Sequence, residues 1–310
     1  MSEATVELGL SKETLAKIEV VRKWVSENGL IWSRKVLYEL VSAGLVKDTA
    51  NTRYQAVCQL FKKLRKAGVV PYEWFKDKKT SLRNTGVGDA STFDESFQRL
   101  CKYYSRSAKS MQKNYVEIWT EKELPERVVN LTYEYDVGLL TSEGFVGDVA
   151  QHQAVERLKE IKAEFNIQPY VIYISDYDSE GEHIFNLNKR ELEAVGVEVS
   201  KLAVTKEDVK ALSLISNIGY RERMLKPRTL KYHLSKQYVQ DFLQRNRDLA
   251  PDGIVQYETE AYPVSTLHDR LQSQLSSLID KDKIEKLDEL CRREVKRWLK
   301  KHYKGKVKAE

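Results

Sequence analysis

Cysteine is scarce in this chain. Cys58, Cys101 and Cys291 are far apart and odd in number, which gives neither a disulfide framework nor the paired spacing of a zinc site. Long apolar runs are missing as well. No stretch approaches the roughly 20 apolar residues that span a bilayer, and no apolar signal segment follows Met1. A glycine-rich phosphate cradle is also lacking, because Gly86-Val87-Gly88 completes neither a dinucleotide nor a P-loop pattern. There is no internal repeat or low-complexity segment. These absences lead us to expect a reducing, cytoplasmic setting, no membrane partner and no nucleotide site in this chain.

What is present is an ordinary globular composition. The 310 residues are 41% hydrophobic and 32% charged, which excludes disordered and collagen-like chains and is long enough for two domains. The net charge of +6 is unevenly spread: residues 1–115 carry +9, residues 116–260 carry −8 and residues 261–310 carry +5. A basic front, an acidic middle and a basic tail suit a polyanion held around a carboxylate-rich centre, which would repel phosphate unless cations neutralised it. The alternative is three solvated surfaces with no common purpose.

The first 75 residues read as three short helices. Leu15, Ile18, Val21 and Trp24 stripe a helix over Glu13–Glu27 that Asn28-Gly29 closes. Ser33 is placed to cap a second helix, Arg34–Ser42, stopped at Gly44. Asn51 or Thr52 would cap a third, running to Lys66 before Gly68, with Val57, Leu60, Phe61 and Leu64 inward. Its other face shows Arg53, Gln55, Gln59, Lys62, Lys63 and Lys66. With a strand and wing over Val69–Phe75, the pattern predicts a winged helix over residues 1–80, whose third helix presents Arg53, Gln59, Lys62, Lys63 and Lys66 to a DNA groove. Residues 81–114 read as linker and basic helix: Lys76–Asp94 lacks apolar periodicity, and the helix is expected over Phe97–Lys113.

From residue 115 strands and helices alternate. Strands are predicted at Val116–Thr120, Val137–Thr141, Tyr170–Ser175 and Val197–Val204, with helices over Val149–Phe165 and Gly181–Val195. Such alternation implies an α/β fold with a mostly parallel sheet, helices on both faces and ligands at the carboxyl ends of strands. Residues 205–250 and 264–303 read as helical. The last 45 residues, 266–310, form a basic helical extension that either tracks phosphates or is a solvated face.

Two carboxylate groups fall at predicted strand ends: Glu121 and Glu123 after the first strand, and Asp176, Asp178, Glu180 and Glu182 after the third. Hard oxygen ligands of this kind suit Mg²⁺, which takes one or two protein carboxylates and completes its shell with water and phosphate. The alternative is a polar loop whose aspartates cap the following helix. The histidines, His152, His183, His233, His268 and His302, show no metal-ligand spacing, although His183 lies beside the acidic cluster. Glu258, Glu260, Ala261 and Tyr262 form a further acidic patch without evident chemistry.

Glu121 at a strand end, followed some distance on by Asp176-Tyr177-Asp178-Ser179-Glu180-Gly181-Glu182, resembles a Toprim domain, the metal-binding domain of topoisomerases, primases and some nucleases. Arg34-Lys35-Val36-Leu37-Tyr38 is similar to the Arg-x-x-(Phe/Tyr)-Tyr motif of the topoisomerase VI A subunit and its meiotic double-strand-break relatives, with Leu37 where an aromatic residue is common. In that family a winged helix bearing the nucleophilic tyrosine precedes the Toprim domain. The likeness covers residues 31–265, weakly including Leu202–Val209 after the last strand.

The resemblance implies a Toprim domain over 115–265, with Tyr38 as nucleophile and Arg34 on the phosphate beside it. Glu121 would serve as acid and metal residue, with Asp176 and Asp178 as further metal ligands, and Glu123, Glu180 and Glu182 in support. It also implies Mg²⁺, with Mn²⁺ as substitute, double-stranded DNA as substrate, a nucleoid-associated homodimer in which each Tyr38 faces the other protomer's metal site, and a separate ATPase B subunit. Chemistry supports the pairing: Arg34, four residues before Tyr38, shares its helical face and could share its phosphate. Two rivals stay open: a Toprim nuclease that uses metal-activated water, and a non-catalytic DNA-binding protein of replication. The alternative for Tyr38 is an ordinary core tyrosine beside Val36, Leu37 and Leu40.

Overall fold

A computed structural model describes residues 10–75, 97, 101, 104, 111–142 and 148–302. The predicted loop over Lys76–Asp94 and most of the predicted basic helix over Phe97–Lys113 lie outside the described residues.

Three helices open the chain: α1 (Lys12–Asn28), α2 (Ser33–Ser42) and α3 (Asn51–Lys66). The predicted glycine stops are all used, since Gly29, Gly44 and Gly68 take φ values of 84°, 69° and 70°. The caps shift by one residue. Ser33 and Asn51 are the first helical residues, and Trp32 and Ala50 occupy the cap positions without a side-chain bond. Arg53, Gln59, Lys62, Lys63 and Lys66 are all exposed on α3, opposite buried Val57, Phe61 and Leu64. A strand over 69–75 does not form. Pro71 has no N–H for a ladder, and Tyr72–Trp74 makes a 3₁₀ turn; only Phe75 bridges, to Ile31.

The sheet that follows has four parallel strands in the order β2-β1-β3-β4. They are β1 (Asn114–Thr120), β2 (Gly138–Thr141), β3 (Gln168–Ile174) and β4 (Glu198–Ala203), linked by α4 (Glu126–Glu134), α5 (Asp148–Phe165) and α6 (Ser179–Ala194). Both faces are covered, as an all-parallel sheet requires. Tyr115, Trp119, Val171 and Tyr173 face a core with Leu158 and Ile161 of α5 and Leu192 of α6. Val116, Ile118, Ile172 and Ile174 face the other core, with Val128 and Leu131 of α4. This second core continues without a break into Val21, Trp24, Leu37, Leu40 and Phe61 of the N-terminal helices. The arrangement is α/β and Rossmann-like.

The segment predicted as helical over 205–250 divides into α7 (Lys206–Ala211), α8 (Ile218–Met224), α9 (Pro227–Leu234) and α10 (Gln237–Arg245). The region predicted helical over 264–303 is two helices, α11 (Val264–Leu278) and α12 (Lys281–His302), parted at Ile279-Asp280. Leu267, Leu271 and Leu275 of α11 are buried in the larger core. Among the described residues no helix is long and apolar enough to cross a membrane. The three cysteines are free.

Candidate active site

Adjacent strands β1 and β3 send their connections in opposite directions, β1 to β2 and β3 to β4, which opens a crevice beyond their carboxyl ends. The register pairs Thr120 with Ile174, so Glu121 and Asp176 leave the sheet side by side. Glu121, Asp176 and Asp178 are all buried there. Asp178 caps α6, its carboxylate accepting from Gly181 N at 2.8 Å. The capping reading is therefore realised for Asp178. Gly181 is required by a close approach, since a Cβ there would stand 2.6 Å from the backbone oxygen of Asp176.

A segment distant in sequence completes the crevice. Tyr177 and Tyr257 exchange backbone hydrogen bonds of 2.9 and 3.1 Å, which lay residues 256–260 along the Asp-Tyr-Asp stretch. Thr259 donates to Asp176 Oδ1 from its amide at 2.8 Å and from its hydroxyl at 2.9 Å. Gln256 donates a short hydrogen bond to Asp178. Half-buried Lys122 joins the two acidic segments, with Nζ 2.7 Å from Asp176, 3.2 Å from Glu258 and 2.8 Å from Glu260. Burial opposes its charge, but Asp176, Glu260 and Glu258 outweigh that and hold its pKa well above the usual lysine value.

Helix α2 reaches the same network. The Tyr38 hydroxyl donates to Glu258 Oε2 at 2.7 Å, and Arg34 Nε lies 3.1 Å from that oxygen. The shared helical face expected of Arg34 and Tyr38 is therefore realised. Tyr38 is 1% exposed, and burial, reinforced by Glu258, raises its pKa well above the ordinary tyrosine value. Buried Lys35 donates to the carbonyl oxygens of Glu260 at 2.9 Å and Tyr262 at 3.4 Å. Trp32 Nε1 donates to Glu260 Oε1 at 3.3 Å. Within the chain, Tyr38 faces the network of Glu258, Glu260 and Lys122.

No protein-family model matches the sequence, and no curated protein matches it either.

Burial, then the charges of Asp176 and Asp178, push the Glu121 pKa up to about 8, against a smaller opposing pull from Lys201 and Lys122. Burial and Asp176 push Asp178 up to about 6. Glu121 Oε1 is buried with no hydrogen-bond partner among the described residues. Hard oxygen donors, mutual repulsion and an unsatisfied carboxylate oxygen are the chemistry that a small divalent cation relieves. Even so, among the described residues no three acidic, histidine or cysteine side chains close around an ion position. Lys122 holds Asp176, and the Gly181 amide and Gln256 hold Asp178. The residues therefore fit a cation in kind, in an open rather than a caged arrangement.

The other predicted acidic residues have separate company. Glu180 accepts from Ser179 Oγ at 2.7 Å and lies 3.0 Å from His233 Nδ1, while Glu182 pairs with Lys201. Glu123 lines a small cleft with Trp32, Lys35 and Glu260. His183 stacks on Tyr238, with ring centres 3.9 Å apart. Sequence reasoning missed Lys122, Gln256 and Thr259 and gave Glu258 and Glu260 no task. The available signals were a lysine directly after Glu121 and two glutamates spaced to share one side of an extended segment.

Proposed function

We propose that this chain cleaves DNA by transesterification through a 5′-phosphotyrosyl intermediate, as a type IIB topoisomerase A-subunit-like protein. In this reading α1–α3 are the helical part of a winged-helix domain, without a wing strand over 69–75, that docks double-stranded DNA through α3, and residues 115–265 are a Toprim domain. One observation carries it: Tyr38 and Arg34 meet at Glu258, and Lys122 links Glu258 to Asp176, so the nucleophile and the acidic crevice belong to one ion-pair network.

Tyr38 Oη attacks the phosphorus, the bond from phosphorus to the 3′ oxygen breaks, and that oxygen leaves as the 3′ hydroxyl after taking up a proton. Glu258, already accepting from the Tyr38 hydroxyl, receives the tyrosine proton. Arg34 pairs with a non-bridging phosphate oxygen. Mg²⁺ or Mn²⁺, held by Glu121, Asp176 and Asp178 with water, would polarise the phosphate and stabilise the leaving oxygen. Two protomers, each cutting one strand, give a double-strand break, and ATP use falls to a separate B subunit.

Denaturing-gel trapping of labelled DNA on the protein tests this. Wild type with Mg²⁺ forms a covalent adduct, while Tyr38→Phe and Asp176→Asn each form none. An adduct that survives Tyr38→Phe refutes the assignment. The burial of Tyr38 favours a second reading, a Toprim nuclease that hydrolyses DNA with metal-activated water. Under that reading Tyr38→Phe keeps cutting DNA and Asp176→Asn does not.

A further inference from the structure

We infer that α9 and its flanks form a second DNA-contact surface, one that takes a strand with unpaired bases beside the acidic crevice. The inference rests on the DNA-cleaving reading and adds the place and form of a contact.

Residues 116–260 carry a net −8, yet between Arg223 and Gln240 there are five cations and no acid. A solvated helix face ordinarily mixes signs. Arg223, Lys226, Arg228 and Lys231 are exposed, and Lys226, Arg228 and Lys231 have no carboxylate partner among the described residues. None of the residues of α9 is buried. Tyr232 of α9 is 62% exposed, with Lys236 Nζ 4.6 Å from its ring centre. Cations that follow a backbone, together with an exposed aromatic ring that keeps one face for a base opposite the Lys236 ammonium, are the parts of a single-strand binding surface.

The surface is fixed to the crevice rather than hung from it. His233 of α9 lies 3.0 Å from Glu180, two residues beyond Asp178, and the Tyr220 hydroxyl of α8 donates to Glu180 at 3.4 Å. The His183 ring of α6 stacks on Tyr238 of α10 at 3.9 Å and 6°. Val239 and Phe242 bury α10 beneath. A strand running along Lys226, Arg228 and Lys231 would therefore reach the start of α6, where Asp178 sits. The excess charge has an opposite partner in phosphate, and Tyr232 directs that partner toward unpaired bases rather than a stacked duplex.

Fluorescence anisotropy over a salt series tests this with two probes, labelled oligothymidine and a labelled duplex. The triple variant Lys226→Ala/Arg228→Ala/Lys231→Ala should flatten the salt slope on oligothymidine by about 2, at about 0.7 per phosphate contact. Tyr232→Ala should weaken oligothymidine binding roughly tenfold and leave the duplex affinity unchanged. Circular dichroism checks that each variant is folded. Unchanged oligothymidine affinity and slope in the triple variant would overturn the inference. If Arg53→Ala/Lys62→Ala/Lys63→Ala then still loses duplex binding, the DNA reading survives and only the second surface falls. Wild type that binds neither probe removes both.

Discussion

The Tyr38 hydroxyl donates a 2.7 Å hydrogen bond to Glu258, a residue 220 positions further along the chain. Glu258 also holds Arg34 and Lys122, so the two partners should not respond alike to removal. Tyr38→Phe deletes one hydrogen bond and leaves the carboxylate with two cations, at a cost of about 1 kcal/mol. Glu258→Ala strands the buried Tyr38 hydroxyl and takes the carboxylate from Arg34, while Lys122 keeps Asp176 and Glu260, and should cost about 2–4 kcal/mol. Urea unfolding of the two variants measures both, and equal costs would mean that Glu258 does not organise the network.

At Gly181 helix propensity and packing point in opposite directions. Within a first helical turn, alanine is ordinarily favoured over glycine by about 1 kcal/mol. Here the added Cβ meets the Asp176 backbone oxygen at 2.6 Å, and backbone cannot swing aside like a side chain. We expect Gly181→Ala to destabilise by about 1–3 kcal/mol and, under the proposed function, to abolish DNA cutting by displacing Asp176. Thermal denaturation and a cleavage assay check this, and a stabilised, active variant contradicts it.

Most helices and strands were legible in the sequence because periodicity and glycine stops are local, as Gly29 and the run Tyr170–Ile174 illustrate; α4 and the 3₁₀ turn at Tyr72–Trp74 were not. The setting of Glu121 and Asp176 at strand ends was legible too, since alternating strands and helices imply a parallel sheet; that β1 and β3 are neighbours comes from the strand order. What could not be read is the placement of residues 256–260. That segment has no periodicity, and two backbone hydrogen bonds between Tyr177 and Tyr257 bring it to the crevice. The roles of Glu258, Thr259 and Lys122 exist only after that docking. Asp178 held two readings in the sequence, cap and ligand, and only a backbone could reveal that the Gly181 amide already uses one of its oxygens.

Glu121 should make stability depend on pH. Its pKa is raised from 4.5 to about 8 in the fold, chiefly by burial. Between those values the folded chain binds more protons than the unfolded one. The contribution is therefore complete below the unfolded pKa and is lost as pH rises through the folded one. In chelator, the melting temperature of wild type should fall by several degrees between pH of about 6 and about 9, and Glu121→Gln should fall less. A variant that tracks wild type across this range would show that Glu121 is ionised throughout.

Not every buried carboxylate in the sheet belongs to the crevice. Glu117, at the middle of β1 in an otherwise apolar run, accepts from Tyr115 Oη at 2.8 Å and Trp119 Nε1 at 2.9 Å. Arg157 of α5 completes its shell with bonds of 3.1 and 2.8 Å. Its demand for donors is met by this chain, so it should hold α5 to the sheet without taking part in chemistry. Glu117→Ala leaves the Tyr115 hydroxyl and Trp119 N–H without an acceptor, with Arg157 free to turn to solvent, and should destabilise by about 2–4 kcal/mol. Glu117→Gln keeps an acceptor oxygen and most of the volume, and should lie between alanine and wild type. Under the proposed DNA-cleaving function, both variants, assayed below their melting temperatures, should cut with the same Mg²⁺ dependence as wild type. Loss of that dependence in a folded Glu117→Gln protein would assign Glu117 to the site and enlarge the acidic crevice to include the body of β1.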